Sequence, residues 1–513
     1  MTEIKDQIKN LVVQRKERLW EIWLSVGAVG LLILPIILNV RLYADDIDRA
    51  SGGSLNWDTD GRIIANWLYR IAHLGSARAV FDHPLGAIVC IPLILLGGLF
   101  ASLLFQRKSL AWVGVLSILL FGQPYFLENL SYGFDSPLMV ISIVMCIAAA
   151  WLCVSAKQQY LFIAAGSLIS ISLLIYQPAN NAFWIPICLL GIYSWRTKTD
   201  NRSNKNQIPY EPKRFIVNSI LVQTFALLIY KFAFSPFFKL TDYASNVQSL
   251  PKPSELPLAF FTNINDFCDT LLRNGFESAL GLSIVIYIAV SIILISSDSN
   301  FWLGITKIIL FVAVLALSQG LMLTLGYRGF EARTYIGVGV FLVSLAPMTW
   351  SVLEGQWKNP AIKKWTRRFY IGILAAIVWG LISCSYAYGS VFRSQDDLNH
   401  YYRQTIANEV LQSESLLEKK FIGMSIIGYS PDSPIAKNTF KVYPFMSDMI
   451  DRVAGHSNGI RRFRQYGLRL NQVKESDLKS YGVQLDADAN IIDRPDFSIS
   501  QQNSVVVIRF KKK

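Results

Sequence analysis

Three carboxylates, Asp45, Asp46 and Asp48, follow directly on the first long apolar run of the chain, Trp20 to Val40. That run is about long enough to cross a bilayer. Carboxylates held at the exit of a span are costly, which marks them as functional. A carboxylate at that depth acts as a general base on a hydroxyl group. Two adjacent ones raise one another's pKa, or hold a divalent cation between them and a phosphate. The set therefore points to an enzyme working on a membrane-borne substrate; capping of a helix in a solvated acidic loop is the plainer alternative.

Three further polar stretches interrupt the apolar runs. Glu128-Asn129-Leu130-Ser131-Tyr132-Gly133-Phe134-Asp135-Ser136 offers Asn129, Tyr132 and Asp135 for hydrogen bonds to sugar hydroxyls. Tyr176-Gln177-Pro178-Ala179-Asn180-Asn181 adds Tyr176 and Gln177, with Pro178 breaking the chain between two spans. Gly326-Tyr327-Arg328-Gly329-Phe330-Glu331-Ala332-Arg333-Thr334 carries Arg328, Glu331 and Arg333. Arginine is suited to a bidentate grip on phosphate. Lys231, near a span end, is a further phosphate candidate, although snorkelling explains it as well. In the first loop, Arg49 and Arg62 join Asp48 as groups for sugar or acceptor. Four loops thus converge on acids, amides, tyrosines and arginines, a set that fits sugar and phosphodiester chemistry. Four histidines in the whole chain leave little room for His-based catalysis or a zinc site, and no Walker loop or dinucleotide fingerprint is present.

The elements that must position these groups are membrane helices. The chain is 52% hydrophobic and 17% charged. Its apolar runs predict about eleven spans: 20–41, 84–106, 109–126, 135–156, 159–176, 180–195, 214–236, 276–297, 301–326, 334–353 and 369–390. Lys and Arg concentrate before the first span and in the loops at 107–108, 196–214 and 358–368, so that side is cytoplasmic. The loops carrying Asp45, Asn129, Gln177 and Arg333 then face outward. These positive-inside loops explain much of the net charge of +13 and argue against a nucleic-acid partner. The six cysteines, five of them in predicted spans, supply neither an exterior disulfide framework nor metal-site spacing. The first apolar run starts too late and runs too long for a cleaved signal peptide.

Residues 1–19 have the spacing of an amphipathic helix on the inner membrane surface. The membrane domain occupies 20–390, with long outer loops at 41–83 and 237–275. The first is expected to hold an interfacial helix from Asp60, its N-cap, to Leu74. Ile63, Ile64, Trp67, Leu68 and Ile71 take one face; Arg62, Asn66, Arg70 and His73 take the other. The second loop is expected to be irregular, with a helix near 265–274. From 391 to 513 a polar helix, strand-like runs at 421–428 and 504–510 and alternating patterns between them predict a small α/β domain on the outer side.

Tyr43-x-Asp45-Asp46-x-x-Arg49, with Trp57 and Gly61-Arg62 after it, resembles the first-loop signature of serotype-converting O-antigen glucosyltransferases. Asn129-Leu130-Ser131-Tyr132-x-Phe134-Asp135-Ser136 and Tyr176-Gln177 extend the likeness, which covers residues 20–390; the tail agrees in position and general character. The resemblance implies a GT-C type polytopic enzyme of the bacterial inner membrane, with its N-terminus cytoplasmic and its tail periplasmic. It implies transfer of glucose, with inversion, from undecaprenyl phosphate glucose to lipid-linked O-antigen. It also implies a functional link to a donor synthase and a flippase. One first-loop aspartate is then the base, Asp45 ahead of Asp46, and Arg328 and Arg333 meet the departing phosphate. No cofactor is required, since the leaving group is already a phosphate monoester; a divalent cation remains compatible. The alternatives are a related transferase acting on lipid A or another glycan, and a lipid-linked sugar flippase or transporter. A transporter would place its charges near mid-membrane.

Overall fold

The structure, a computed structural model, describes residues 19–40, 42–107, 109–155, 160–199, 212–247, 249–297, 300–326, 331–356, 359–417, 421, 423–455, 457–481, 490–502 and 504–511. The expected amphipathic helix, apart from Leu19, and Arg328 lie outside them. Among the described residues, seven helices are long and apolar enough to cross a membrane: Leu19–Asn39, Leu85–Leu104, Ser136–Ser155, Pro212–Phe237, Ala279–Ser296, Ile336–Gly355 and Pro360–Ser413. Ala111–Phe121, Tyr160–Leu173 and Phe301–Ala316 are apolar but shorter, and Asn181–Thr199 is a further helix with Pro186 inside it. Every predicted span therefore contains a helix, and among the described residues seven of these helices are both long and apolar enough to cross a membrane. The short ones stop where local chemistry stops them. Ala111–Phe121 ends at Gly122, directly before Gln123-Pro124, and Phe301–Ala316 gives way to a 3-10 turn at Gly320–Thr324.

The chain divides into two compact units. The first comprises the helical bundle through Tyr386 together with residues 55–78. Small residues let its helices approach. A Cβ on Gly98 would collide with Ser117 Oγ and the Val113 carbonyl, and Ser117 Oγ donates to the Ile94 carbonyl at 3.0 Å. The hairpin of Ala279–Ser296 and Phe301–Ala316 is capped at both starts. Ser278 Oγ accepts from Gly281 N at 2.9 Å, and Asn300 Oδ1 accepts from Trp302 N at 3.0 Å. The interfacial helix is present as Ile63–Ala72, with Ala65 and Tyr69 buried and Trp67 and Ile71 exposed. Asp60 does not cap it: Asp60 ends a 3-10 turn, Gly61 takes a positive φ, and Arg62 stands at the N-cap without a side-chain bond. The 237–275 loop is mostly ordered helix, Asp242–Val247 and Leu256–Phe276. Asn263 and Phe267 face inward from it; Asn263 Nδ2 donates to the carbonyls of Leu323 and Leu325 at 3.0 and 2.9 Å. Lys307 of the Phe301–Ala316 helix is fully buried.

The second unit gathers residues 39–54, 79–81 and 387–513. Its five-stranded sheet has the order β2-β1-β5-β4-β3, where β1 is Gly423–Ile427, β2 Asn471–Gln472, β3 Asn490–Asp493, β4 Phe497–Gln502 and β5 Val505–Phe510. β1 runs parallel to β2 and β5, while β4 is antiparallel to both of its neighbours. Alternate residues Met424, Ile426, Val506, Ile508 and Phe510 meet Ile406 and Val410 of the Pro360–Leu417 helix in one core.

Candidate active site

The acidic segment belongs to the second unit and is built as a tight turn entering a short helix. Ala44 sits at φ 40°, a left-handed conformation that an alanine adopts at a cost of roughly 1–2 kcal/mol. The turn brings Asp46 back on Tyr43: Asp46 N donates to the Tyr43 carbonyl at 2.8 Å, and Tyr43 N donates to Asp46 Oδ2 at 3.2 Å. Asp46 is fully buried, whereas Asp45 at the N-cap of the Asp46–Gly52 helix is exposed. The tail holds this helix at two points. Tyr43 OH donates to the Met449 carbonyl at 3.0 Å, and Asp48 pairs with Arg461. Arg49 lies one residue further along the same helix.

In the first unit Glu128, Asn129, Tyr132 and Tyr176 converge on the 3-10 turn Ala332–Thr334 and on Glu331 before it. Arg333 N donates to Glu128 Oε2 at 2.7 Å. The Arg333 carbonyl accepts from Asn129 Nδ2 and Tyr176 OH, both at 3.0 Å. Its guanidinium lies over the Tyr132 ring, 5.0 Å from the centroid, bonds the Tyr132 hydroxyl and pairs with Glu331. Burial alone would favour the neutral base, but Tyr132, Glu331 and Glu128 outweigh it and hold the Arg333 pKa well above its ordinary value. Arg62 stacks over the Tyr176 ring at 5.2 Å, with its Nε buried and unpartnered. Asp135 accepts from Trp57 Nε1, and Trp57 packs on Tyr69 at 5.3 Å. Gln177 Nε2 reaches the Gly61 carbonyl at 3.5 Å. Lys231 is exposed in the π-helical turn Ile229–Phe234.

Of the residues picked out in these loops, Asn129, Tyr132, Tyr176, Glu331 and Arg333 form one bonded cluster, whereas Asp135 bonds Trp57 and Gln177 reaches Gly61. Glu128, which clamps the Arg333 backbone, was not among the site residues read from sequence. Its only signal there is an acid directly before Asn129. Among the described residues, no group of three or more His, Cys, Asp or Glu side chains is gathered that would hold a metal ion.

The sequence model of the family described as Glucosyl transferase GtrII matches residues 34–344, more than half of the chain. The chain belongs to the GtrII glucosyltransferase family. The match contains the acidic turn and the Arg333 cluster and stops short of the tail. A curated relative from Salmonella phage P22, an "Uncharacterized 55.3 kDa protein in gtrB 5'region", is 25% identical over 181 residues. That alignment covers 35% of this chain and 36% of the relative, so the chain matches about a third of that protein's length. No solved structure matches.

Proposed function

We propose that this chain transfers glucose from undecaprenyl phosphate glucose to lipid-linked O-antigen, with inversion, on the periplasmic face of the bacterial inner membrane. The observation that carries the reading is the acidic turn, inside the region matched by a glucosyltransferase family: one exposed carboxylate beside one that is fully buried and bonded to the backbone. Asp45 is then the base and Asp46 the residue that fixes its turn. Asp45 takes the proton of an acceptor hydroxyl; the oxygen attacks the anomeric carbon from the face opposite the phosphate. The bond from that carbon to the phosphate oxygen breaks, and undecaprenyl phosphate leaves as a monoester. Arg333, kept cationic, and Arg62 are the groups suited to the charge that grows on the leaving phosphate. Asn129, Tyr132, Asp135 and Gln177 offer hydrogen bonds to the sugar hydroxyls of the acceptor. The phage relative's place in a gtrB 5' region supports the serotype-modifying context.

The test is glucose transfer in nanodiscs, from undecaprenyl phosphate glucose to lipid-linked O-antigen, by wild type, Asp45→Asn and Asp46→Asn. Transfer by wild type with a loss of about 10²–10⁴-fold in folded Asp45→Asn is expected. Transfer that survives in both variants moves the base elsewhere. Absence of transfer by wild type, with movement of the lipid-linked sugar between leaflets, would favour a transporter. Loss of activity on complete EDTA treatment would assign a metal to the site.

A further inference from the structure

The first unit contains a second polar feature, separate from the Arg333 cluster, to which no role has yet been given. A cavity of about 450 Å³ lies between the helices Asn181–Thr199 and Pro212–Leu228 and the chain at 317–321. Its volume falls in the range of small-molecule sites, about 300–1,000 Å³. Its inner end is formed by Asn180, Asn181, Gln223 and Ser318, each at most 7% exposed. Asn180 Oδ1, Asn181 Nδ2, both polar atoms of the Gln223 amide and Ser318 Oγ are buried with no hydrogen-bond partner. Unpartnered amides between membrane helices are expensive, each costing about 1–3 kcal/mol, and are retained where a ligand satisfies them. The mouth is apolar and outward: Ile220, Leu317 and Leu321 are 50%, 45% and 59% exposed. Gly320, at φ 58°, closes on Asn181; a Cβ there would collide with Asn181 Oδ1.

From this we infer that the cavity is the pocket for the hexosyl group of a lipid-linked sugar donor, an inference that rests on the transferase reading above. Amides and a hydroxyl that both donate and accept match a neutral polyol, and Trp184 supplies an apolar wall for a sugar ring. An isoprenoid chain would leave every one of these groups unsatisfied. Among the described residues no charged side chain lines the cavity, so the phosphate stays outside it. Lys231, eight residues beyond Gln223 in the same candidate span, is exposed and is the cation offered to a phosphate outside the cavity. Only Pro178 and Ala179 separate Asn180 and Asn181 from the Tyr176-Gln177 segment, so the cavity is close in sequence to the Arg333 cluster.

The experiment compares binding of polyprenyl phosphate glucose and of polyprenyl phosphate to the full chain in nanodiscs, alongside glucose transfer. Wild type is expected to bind the glucosylated lipid at least tenfold more tightly. Gln223→Leu and Asn181→Ala each shrink that preference by about five- to tenfold while leaving polyprenyl phosphate binding unchanged. Lys231→Gln weakens both lipids equally. Gln223→Met, which keeps length and removes both polar atoms, serves where Gln223→Leu does not fold. A preference that persists in the folded variants overturns the pocket and leaves the transferase reading standing. So does a wild type that transfers glucose without preferring the glucosylated lipid. A wild type that neither prefers it nor transfers glucose overturns both.

Discussion

Asp45 and Asp46 are neighbours in sequence and opposites in environment, and that difference separates their substitutions. Asp45 is exposed, so Asp45→Asn removes its charge at the surface and not in the core. Asp46 is fully buried, and its carboxylate answers the Tyr43 N–H. Asp46→Ala leaves that amide without its acceptor and is expected to lower stability by about 1–3 kcal/mol. Asp46→Asn keeps an acceptor oxygen and is expected to melt close to wild type. Thermal melts of the three proteins, set beside their transfer rates, check this. An Asp46→Ala protein as stable as wild type would show that the turn does not depend on the bond. Ala44→Gly, which frees the left-handed position, should be neutral or slightly stabilising.

At the scale of elements, the acidic helix is held by a partner far along the chain. Asp48 and Arg461 are 413 residues apart and form an ion pair, with the arginine side chain 48% exposed. So exposed a pair contributes at most about 1 kcal/mol to stability, and its larger effect is to orient the helix that carries Asp45. Arg461→Ala should therefore lower kcat roughly tenfold with little change in melting temperature. The reversed pair, Asp48→Arg with Arg461→Asp, should recover part of that loss. A double-mutant cycle with no coupling between the two positions would refute the link. The sequence showed the carboxylates and the Asn129, Tyr176 and Arg333 loops because uncommon polar groups stand out between apolar runs. It did not show this pair, since nothing local joins residue 48 to residue 461. Nor did it show the amide cavity: Asn181, Gln223 and Ser318 come from separate apolar stretches, where averaging over a window of hydropathy hides single polar residues. The same averaging carries the 109–126 run past Gly122 and the 301–326 run past Leu317, although the apolar α-helices there are 11 and 16 residues long. The interfacial helix was legible from its apolar spacing, while its start was not, because Gly61 at φ 76° ends one turn before the next begins.

For the whole molecule, the proposal depends on orientation, because a polyprenyl phosphate donor consumed outside the cell requires the acidic turn and the Arg333 cluster to face the periplasm. The chain carries its own reporter for this. Cys268 is partly exposed on the Leu256–Phe276 helix, in a segment that the positive-inside rule places outside. Cys188 is exposed on Asn181–Thr199, between the loops assigned to opposite sides, and Cys90, Cys146, Cys153 and Cys384 are buried. In spheroplasts, a membrane-impermeant maleimide should label Cys268 and leave Cys188 to permeant reagents. Burial raises the Cys268 pKa, and the Asp269 carboxylate raises it further. Thiolate is the reactive form, so labelling should be slow near pH 7 and accelerate as pH rises toward 9. Cys268→Ser is the blank. Labelling that appears only after permeabilisation would turn the bundle over and place the acidic turn in the cytoplasm. There a soluble nucleotide sugar becomes the more reasonable donor, and the exposed carboxylate of Asp45 would serve a different reaction partner with the same chemistry.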